Sequence, residues 1–520
     1  MTSIQSMMTA DYGVMGDILR LRARENPDHP AVIMETGEAV TYAQFDALAD
    51  RVAVALQRDG IKPGEAVAVC ALSSIPYAAL FLGALRAGVA VAPLAPSSTP
   101  EAIAGMVADC GARLFFMDAG VARAQTPAPI AVRYIALDGA AFGDAFDAWL
   151  APEGATPASV TITAEAPFNI IYSSGTTGAP KGIVQSHGMR WKHVFRGDAV
   201  GYGGEAVTLL STPLYSNTTL VCFFPTLAGG GTVVLMKKFD AGKYLELAQR
   251  HRMTHTMLVP VQYRRLMDRP DFGDFDLSST HLKLCTSAPF AAELKAQVLQ
   301  RWPGGLVEYF GMTEGGGTCI LMAHEHPDKL HTVGRPAPGH DIRLIDEDGV
   351  QVGSGVIGEI VGRSEGMMNG YHGQPGKTAE ATWVSPEGWN FIRTGDVGRF
   401  DEDGFLTLMD RKKDMIISGG FNIYPSDLEA EIVKHEDVAE AAVVGVPSDA
   451  WGESPVAFVA LRPAMEGVGR IDAEGLRAWV NARLGKTQRL VDLKLVESLP
   501  RSHIGKVLKR ELRDGWAASA

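Results

Sequence analysis

The chain lacks an excess of basic residues and any long apolar run. Its 520 residues include 48 Lys and Arg against 60 Asp and Glu, a formal net charge of −12. A nucleic-acid-binding protein needs a basic face, so this balance argues against such a partner. No stretch reaches the roughly 18 apolar residues that span a bilayer, and residues 1–13 lack the segments of a signal peptide. We therefore expect a cytoplasmic protein without a transmembrane segment or a nucleic-acid partner.

Cysteine is also scarce. The five cysteines stand singly, with no pair at CxxC spacing: Cys70, Cys110, Cys222, Cys285 and Cys319. An odd number without metal-ligand spacing argues against a disulfide framework and favours a reducing compartment. We interpret each cysteine as a small buried apolar residue rather than a nucleophile.

What the chain does contain is enough apolar sequence for more than one core. Hydrophobic residues make up 46% and charged residues 21%, which is typical of globular proteins. A length of 520 residues exceeds the roughly 250–300 at which a single core stops growing. Two or more domains are expected.

Hydrophobic patterning distinguishes several regions of the chain. Residues 14–120 and 168–311 alternate helical patterns with short buried strands, which predicts βα units and a largely parallel sheet. Residues 121–165 are rich in Ala, Pro and Thr and predict loop. Residues 334–409 predict a small antiparallel element whose turns would fall at Asp348-Gly349, Gly358-Glu359 and Asp403-Gly404.

The region after residue 410 predicts a separate small domain. It offers helices at Pro425–His435 and Ala473–Leu484 and strands at Ala441–Val446 and Val456–Leu461. The predicted fold class is therefore α/β. A large N-terminal domain (1–410) carries βα-type sheets plus the antiparallel element, and a small α+β C-terminal domain follows (411–520).

The most informative segment is Tyr172–Gly182, which reads Tyr-Ser-Ser-Gly-Thr-Thr-Gly-Ala-Pro-Lys-Gly and follows an apolar strand. Its glycines let backbone N–H groups approach phosphate oxygens, its hydroxyls add donors, and Lys181 adds positive charge. A Walker-type loop is excluded, because Pro180 precedes Lys181 and Gly182 stands where that motif needs Ser or Thr. The pattern predicts a phosphate-binding loop of another kind.

This segment resembles the signature of the adenylate-forming superfamily, which includes acyl-CoA synthetases, peptide-synthetase adenylation domains and firefly-type luciferases. Further motifs in the family's order extend the resemblance from about Thr41 to Lys506. The resemblance implies an AMP-forming acid–CoA ligase with ATP, coenzyme A and a small carboxylic acid as substrates and with Mg²⁺. It also implies a C-terminal domain that moves, and a homodimer, which is the habit of the family.

The resemblance assigns the nucleotide site. Thr313 would contact phosphate, Glu314 would hold Mg²⁺, and Asp396 would accept hydrogen bonds from the ribose hydroxyls. Lys506 matches the catalytic lysine. The ATP-binding residues implied are Ser173, Ser174, Gly175, Thr176, Thr177, Gly178, Lys181, Ser287, Ala288, Pro289, Tyr309, Gly311, Met312, Thr313, Asp396 and Arg411.

The same resemblance assigns the thiol-transfer half of the reaction. Lys413 matches the family's hinge position, where a few residues absorb a large backbone rotation. Gly419 and Gly420 would line the path of the pantetheine arm, because side chains there would block a thin thiol chain. Trp451 matches a residue that stacks on the CoA adenine in some relatives.

The acid pocket is implied at Tyr215, Ser216, Asn217, Val261, Gly315 and Gly316. Ser216 departs from the family pattern, which has a gating His there, and the run Gly315–Gly317 removes side chains after the metal-binding Glu. Both features favour a roomy pocket for a long or bulky acid. A medium-to-long fatty acid and an aryl acid are equally compatible.

Three other functions fit parts of the pattern. A relative that loads a carrier protein would share every nucleotide motif, although no carrier domain follows. A luciferase-like oxygenase belongs to the same superfamily. A catalytically silent nucleotide-binding regulator is disfavoured, because Lys181, Glu314, Asp396, Arg411 and Lys506 are all present.

Overall fold

The structure is a computed structural model, and the chain forms two compact units. The first comprises residues 1–342 and 362–392, and the second comprises residues 343–361 and 393–520. The residues that the structure describes are 4, 7, 10–124, 132–139, 142–173, 181–195, 200–411, 414–418, 421–448, 451–462, 471–485, 488–501 and 507–517.

A large sheet of mostly parallel strands organises one half of the first unit. Its central strands are short, fully buried and rich in β-branched and aliphatic residues, as expected for parallel strands covered on both faces. In spatial order, the nine strands within the described residues are Arg335–Pro336, Cys319–Met322, Gly305–Phe310, Leu282–Cys285, His255–Leu258, Val207–Leu210, Thr232–Leu235, Pro30–Met34 and Ala39–Thr41.

A second sheet organises the other half of the first unit. Its central strand Ala66–Cys70 pairs in parallel with both neighbours. In spatial order, the eight strands within the described residues are Gly370–Tyr371, Lys181–Ser186, Pro167–Ser173, Ala90–Pro93, Ala66–Cys70, Leu114–Met117, Arg133–Ala136 and Asp144–Ala145. A separate hairpin of the first unit pairs Thr382–Val384 with the start of Asn390–Phe400.

The helices of the first unit pack on these sheets, and several begin at recognisable caps. Thr41 and Gln44 form a capping box, in which each side chain bonds the other residue's backbone N–H (2.9 and 3.3 Å). The described helices of this unit are Met15–Glu25, Tyr42–Arg58, Ile75–Arg86, Pro100–Asp109, Ala119–Ala124, Phe146–Trp149, His187–Phe195, Asn217–Gly229, Ala241–Arg250, Pro260–Met267, Ala292–Arg301 and Pro375–Glu380, with a 3₁₀ turn at Phe272–Asp274.

The main core lies between the two sheets. Val67 and Val69 point into it, whereas Ala66, Ala68 and Cys70 point into a second cluster on the opposite face of their sheet. This alternation follows from the two-residue period of a strand. It explains why a continuous apolar run was needed in a strand that is buried on both faces.

The second unit contains a smaller sheet dominated by one long antiparallel pair. Val438–Ser448 runs against Gly452–Leu461, and strands Ile416–Ser418, Phe421–Ile423 and Asp492–Val496 complete it. Two apolar clusters cover its faces. The described helices of this unit are Pro425–Ile432, Ala473–Asn481 and Lys509–Ala517.

Antiparallel strands also occur where the sequence predicts them. Asp341–Ile345 pairs with Gln351–Val352, and the end of Asn390–Phe400 pairs with Leu406–Arg411. Gly349 and Gly404 have φ of +78° and +80°, so the two hairpin turns need glycine. The predicted turn at Gly358-Glu359 is wrong, because both residues lie within the strand Gly358–Arg363.

The loop predicted for residues 121–165 is also wrong in part. Strands Arg133–Ala136 and Asp144–Ala145 and the helix Phe146–Trp149 lie inside it. The prediction that the cysteines are buried is confirmed. All five cysteines are buried, and burial raises the pKa of each thiol. Among the described residues, no helix is long and apolar enough to cross a membrane.

Candidate active site

Four neighbouring parallel strands of the nine-stranded sheet end at one edge, and many of the predicted site residues follow those ends. The strands are Val207–Leu210, His255–Leu258, Leu282–Cys285 and Gly305–Phe310. Ligands of open α/β sheets bind outside the carboxyl ends of the strands. The predicted site residues that follow these strands therefore fit one ligand-binding edge. They are Tyr215, Ser216, Asn217, Val261, Ser287, Ala288, Pro289, Gly311, Met312, Thr313 and Glu314.

Two hydroxyl contacts join the segments at this edge. Thr286 Oγ1 donates to the carbonyl of Tyr309 (2.9 Å), which ties two strand ends together. The hydroxyls of Thr218 and Ser287 lie 2.6 Å apart. Ser287 has φ of +84°, a left-handed conformation that is unusual for a residue other than glycine. Strain of this kind is typical of functional sites that the surrounding structure over-determines.

The predicted phosphate loop connects two antiparallel strands of the eight-stranded sheet. Pro167–Ser173 runs out and Lys181–Ser186 returns, with Ser173 opposite Lys181 in register. Ser174, Gly175, Thr176, Thr177 and Gly178 lie outside the described residues, as does the side chain of Ser173. The two strands that flank the predicted loop are therefore paired with each other up to Ser173 and Lys181.

Glu314 and Lys181 meet around a residue that the sequence did not single out, Tyr371. The Tyr371 hydroxyl donates to Oε1 of the buried Glu314 carboxylate (3.0 Å). Lys181 Nζ lies 5.0 Å from the centroid of the Tyr371 ring, within the range of a cation–π contact. Burial, followed by the nearby Glu314 charge, raises the pKa of Tyr371, so its hydroxyl stays protonated and remains a donor.

The fold explains how Tyr371 reaches this position. Strand Gly370–Tyr371 pairs with Ile183 and Val184, immediately beyond Lys181. The backbone N–H of Met368 also donates to the carbonyl of Glu314 (2.8 Å). Segment 367–371 therefore fixes both the backbone and the side chain of the predicted metal-binding residue.

The donors around Glu314 suit a hard cation. Thr313 and Glu314 offer a hydroxyl and a carboxylate, and Mg²⁺ prefers oxygen ligands. Within the part of the chain that the structure describes, no group of three or more His, Cys, Asp or Glu side chains forms a metal site. This fits Mg²⁺, which usually takes one or two carboxylates and fills its remaining positions with substrate phosphates and water.

The glycines after Glu314 have a packing reason. A Cβ on Gly315 would lie 1.9 Å from the carbonyl oxygen of Gly366, and one on Gly316 would lie 2.8 Å from that of Gly362. Both residues have positive φ. A Cβ on Gly317 would lie 2.5 Å from Ile342 Cγ1. Close backbone packing therefore accounts for all three glycines, and they no longer argue for a roomy pocket.

The residues predicted for the acid pocket surround the start of one helix. Ser216 is buried and immediately precedes the helix Asn217–Gly229. Asn217 Oδ1 lies 3.4 Å from Gln185 Nε2. Burial raises the pKa of Tyr215 to about 12, so this phenol is neutral at ordinary pH. Val261 is half-buried on the helix Pro260–Met267.

The second unit holds the other predicted site residues. Asp396 stands opposite Arg411 in the register of two paired strands, which fits two residues predicted to bind one nucleotide. Trp451 is 57% exposed and precedes Gly452, which pairs with Ser418. Lys413, Gly419, Gly420 and Lys506 lie outside the described residues, as does the side chain of Arg411.

Comparison with known proteins identifies the family. Residues 19–372 match the model of the AMP-binding enzyme family, and residues 427–506 match that of the AMP-binding enzyme C-terminal domain. A feruloyl-CoA synthase from Amycolatopsis sp is 34% identical, over 95% of this chain and 97% of that protein. The fatty acid–[acyl-carrier-protein] ligase ScoC of Streptomyces coeruleorubidus is 32% identical, over 96% of both chains.

A solved structure supports the same family assignment. The amide bond synthetase McbA from Marinactinospora thermotolerans superposes with a TM-score of 0.84 at 29% identity, covering 97% of this chain and 100% of that one. The chain belongs to the family of AMP-binding, adenylate-forming enzymes. The predicted fold class and the prediction of an AMP-forming acid–CoA ligase are confirmed at this level.

Proposed function

We propose that the chain activates an aryl carboxylic acid with ATP and transfers the aryl-acyl group to the thiol of coenzyme A. The observation that carries the proposal is the meeting of Lys181 and Glu314 around Tyr371, a cation and a carboxylate suited to Mg·ATP. The aryl acid is supported by the likeness to a feruloyl-CoA synthase. It is also supported by the hydroxyls of Tyr215, Thr218 and Ser287, which could bond polar ring substituents.

In the first step, a carboxylate oxygen of the acid attacks the α-phosphorus of ATP and pyrophosphate leaves. Two anions must approach each other, so the site has to offset their repulsion. Lys181 holds the β- and γ-phosphates, and Lys506 stabilises the charge that develops at the α-phosphate. Thr313 contacts phosphate, and Glu314 would hold Mg²⁺, which supplies further positive charge when bound. Asp396 and Arg411 bind the nucleoside and phosphate ends of the same nucleotide.

In the second step, the CoA thiol attacks the mixed anhydride and AMP leaves. We propose that residues 411–520 rotate about Lys413 between the steps, as the family resemblance implies. The rotation withdraws Lys506 and brings Gly419 and Gly420 to the pantetheine arm. The exposed Trp451 stacks on the CoA adenine. We further place the enzyme in the cytoplasm as a homodimer.

A carrier protein is the second candidate for the acceptor. It is favoured by the likeness to a fatty acid–[acyl-carrier-protein] ligase over 96% of the chain. The two acceptors share the pantetheine thiol, so Gly419 and Gly420 would serve both. They differ in the group beyond the pantetheine, which is the adenine nucleotide that Trp451 is proposed to contact.

The test is pyrophosphate release with Mg·ATP across a panel of aryl and fatty acids, each with and without CoA. We expect release with an aryl acid and the appearance of AMP and aryl-CoA in equal amounts. Release with accumulating acyl-AMP and no thioester would instead support a carrier-protein acceptor. Release with fatty acids alone would refute the aryl assignment. Silence across the panel with intact ATP binding would favour the regulator.

A further inference from the structure

A buried arginine close to the phosphate-loop hairpin has no carboxylate partner among the described residues. Arg190 lies on the helix His187–Phe195 and is 2% exposed. Its hydrogen-bond partners among the described residues are amide oxygens. Nε and Nη2 donate to Asn169 Oδ1 (3.2 and 3.1 Å), and Nη2 also donates to Gln185 Oε1. Burial lowers the pKa of Arg190 to about 9, which reflects the cost of its charge in this position.

The arginine dictates the orientation of both amides. A guanidinium has donors and no acceptor, so the oxygen of Asn169 must face it. The NH₂ group of Asn169 then points away and donates to Gln185 Oε1 (3.0 Å), an oxygen that also accepts from Arg190. Asn169 and Gln185 are direct cross-strand partners in the hairpin that carries the phosphate loop. With both donors on its oxygen, Gln185 can present only its NH₂ group to its other neighbours.

Those neighbours belong to the proposed catalytic edge. Gln185 Nε2 donates to the carbonyl of Thr313 (2.5 Å) and lies 3.4 Å from Asn217 Oδ1. Asn169 and Gln185 are fully buried, so neither amide has water as an alternative partner. A reversed Gln185 amide would place its oxygen against the Thr313 carbonyl and leave both groups unpaired, at the cost of a buried unsatisfied acceptor.

We propose that Arg190 is a positioning residue for adenylation. It acts through Asn169 and Gln185 to hold the Thr313 backbone against the phosphate-loop hairpin, which places the Thr313 hydroxyl and the Glu314 carboxylate for Mg·ATP. The inference rests on the proposed function of this site. A displacement of about 1 Å in such a group can cost roughly a hundredfold in rate. Three polar side chains that touch no reacting atom thereby become part of the catalytic geometry.

Two variants test the relay at different links. Gln185→Glu keeps the size of the side chain and the acceptor for Arg190, but it removes the donor to Thr313. Arg190→Met removes the guanidinium and frees both amides to rotate. We expect each variant to lower the rate of acid-dependent pyrophosphate exchange by about 10- to 100-fold. Arg190→Lys, which keeps the charge without the fork, should give a smaller loss.

A second readout does not depend on turnover. Calorimetric titration with ATP in excess Mg²⁺ and in EDTA separates binding of the metal complex from binding of the nucleotide alone. We expect both variants to weaken binding in Mg²⁺ and to leave binding in EDTA unchanged.

The matched control is Thr256→Val. Thr256 is fully buried in the same unit and donates to the carbonyl of Leu209 (2.8 Å), but it lies outside the proposed site. It should lower the melting temperature without changing exchange kinetics or Mg·ATP affinity. If Arg190→Met and Gln185→Glu behave like this control, the positioning role is wrong. If the wild type exchanges pyrophosphate with no acid, the proposed function fails, and the titrations still decide the relay.

Discussion

The described site residues of the two units differ in how they are held. In the first unit, Glu314 is buried and bonded by Tyr371, a residue 57 positions away in the chain. In the second unit, Trp451 is 57% exposed on a turn between strands. The first contact is fixed by the packing of its unit, whereas more than half of the Trp451 side chain faces solvent. The proposed nucleotide chemistry therefore rests on buried residues, and the proposed contact with the acceptor rests on an exposed one.

The names of the relatives bear on this comparison. A feruloyl-CoA synthase, a fatty acid–[acyl-carrier-protein] ligase and an amide bond synthetase all match nearly the whole chain. Their names differ in the acid that they state and in the group to which the acid is joined. A buried nucleotide site that stays constant, combined with an exposed acceptor surface that varies, would produce this pattern.

The variant Lys506→Ala should separate the two half-reactions, adenylation and thioester formation, most clearly. We expect adenylation to fall by about 10²–10³-fold, because a charge that stabilises the transition state is lost. Reaction of preformed acyl-AMP with CoA should be nearly unchanged, since that step does not use this lysine. Pyrophosphate exchange measures the first half-reaction, and thioester formation from synthetic acyl-AMP measures the second. Equal losses in both would remove Lys506 from its proposed role.

Gly315→Ala should lower the stability of the packed region around Glu314, on which the proposed adenylation site depends. The new Cβ would lie 1.9 Å from the Gly366 carbonyl oxygen at a φ of +76°, and we expect a loss of about 2–5 kcal/mol in stability. Chemical denaturation measures it. The control is Gly105→Ala, in the helix Pro100–Asp109, where a Cβ would meet nothing within 4 Å. It should be neutral or stabilising by up to about 1 kcal/mol.

Tyr371→Phe tests how the Glu314 carboxylate is held. Loss of the 3.0 Å hydrogen bond leaves the ring under Lys181, so only the orientation of Glu314 changes. We expect KM for Mg·ATP to rise by about 10-fold, in line with one hydrogen bond to a charged group. Tyr42→Phe, which loses a buried bond to Gly231 O (2.7 Å) far along the chain from Glu314, is the control. An unchanged KM would show that Tyr371 is structural only.

Trp451→Ala should act only on the acceptor step. Stacking on an aromatic base contributes about 1–3 kcal/mol, so KM for CoA should rise by about 5- to 100-fold. Pyrophosphate exchange should not change. A carrier protein, which lacks the adenine, should be unaffected as an acceptor. Loss of exchange in this variant would contradict the division between the two halves.

Much of the fold could be predicted because it depends on local patterns. The strand Leu114–Met117 begins and ends where the apolar run does. The strand Arg133–Ala136 was missed because Arg133 is exposed, Tyr134 is only partly buried, and the strand lies in a segment rich in Ala, Pro and Thr. Gly358 was interpreted as a turn, although its place in a strand reflects close packing on Ile345.

The candidate site residues also fall into two groups, those that the sequence singles out and those that it does not. Motif order was enough to find Lys181, Thr313 and Glu314, since each belongs to a contiguous segment. Tyr371, Gln185 and Arg190 were missed because their roles depend on contacts with residues that are distant in the chain or on neighbouring strands. The donor and acceptor pattern around Gln185 cannot be read until Thr313, 128 positions away, is in place.

The glycine run after Glu314 limits how this enzyme could be redesigned. Substrate range is often altered by saturating positions next to a catalytic residue with larger or smaller side chains. At Gly315, Gly316 and Gly317 every new side chain would meet backbone or core atoms within 3 Å. Most members of a mutational library at these three positions would therefore lose stability. Diversity is better introduced at Tyr215, Ser216 and Val261, where side chains already exist and can change in size.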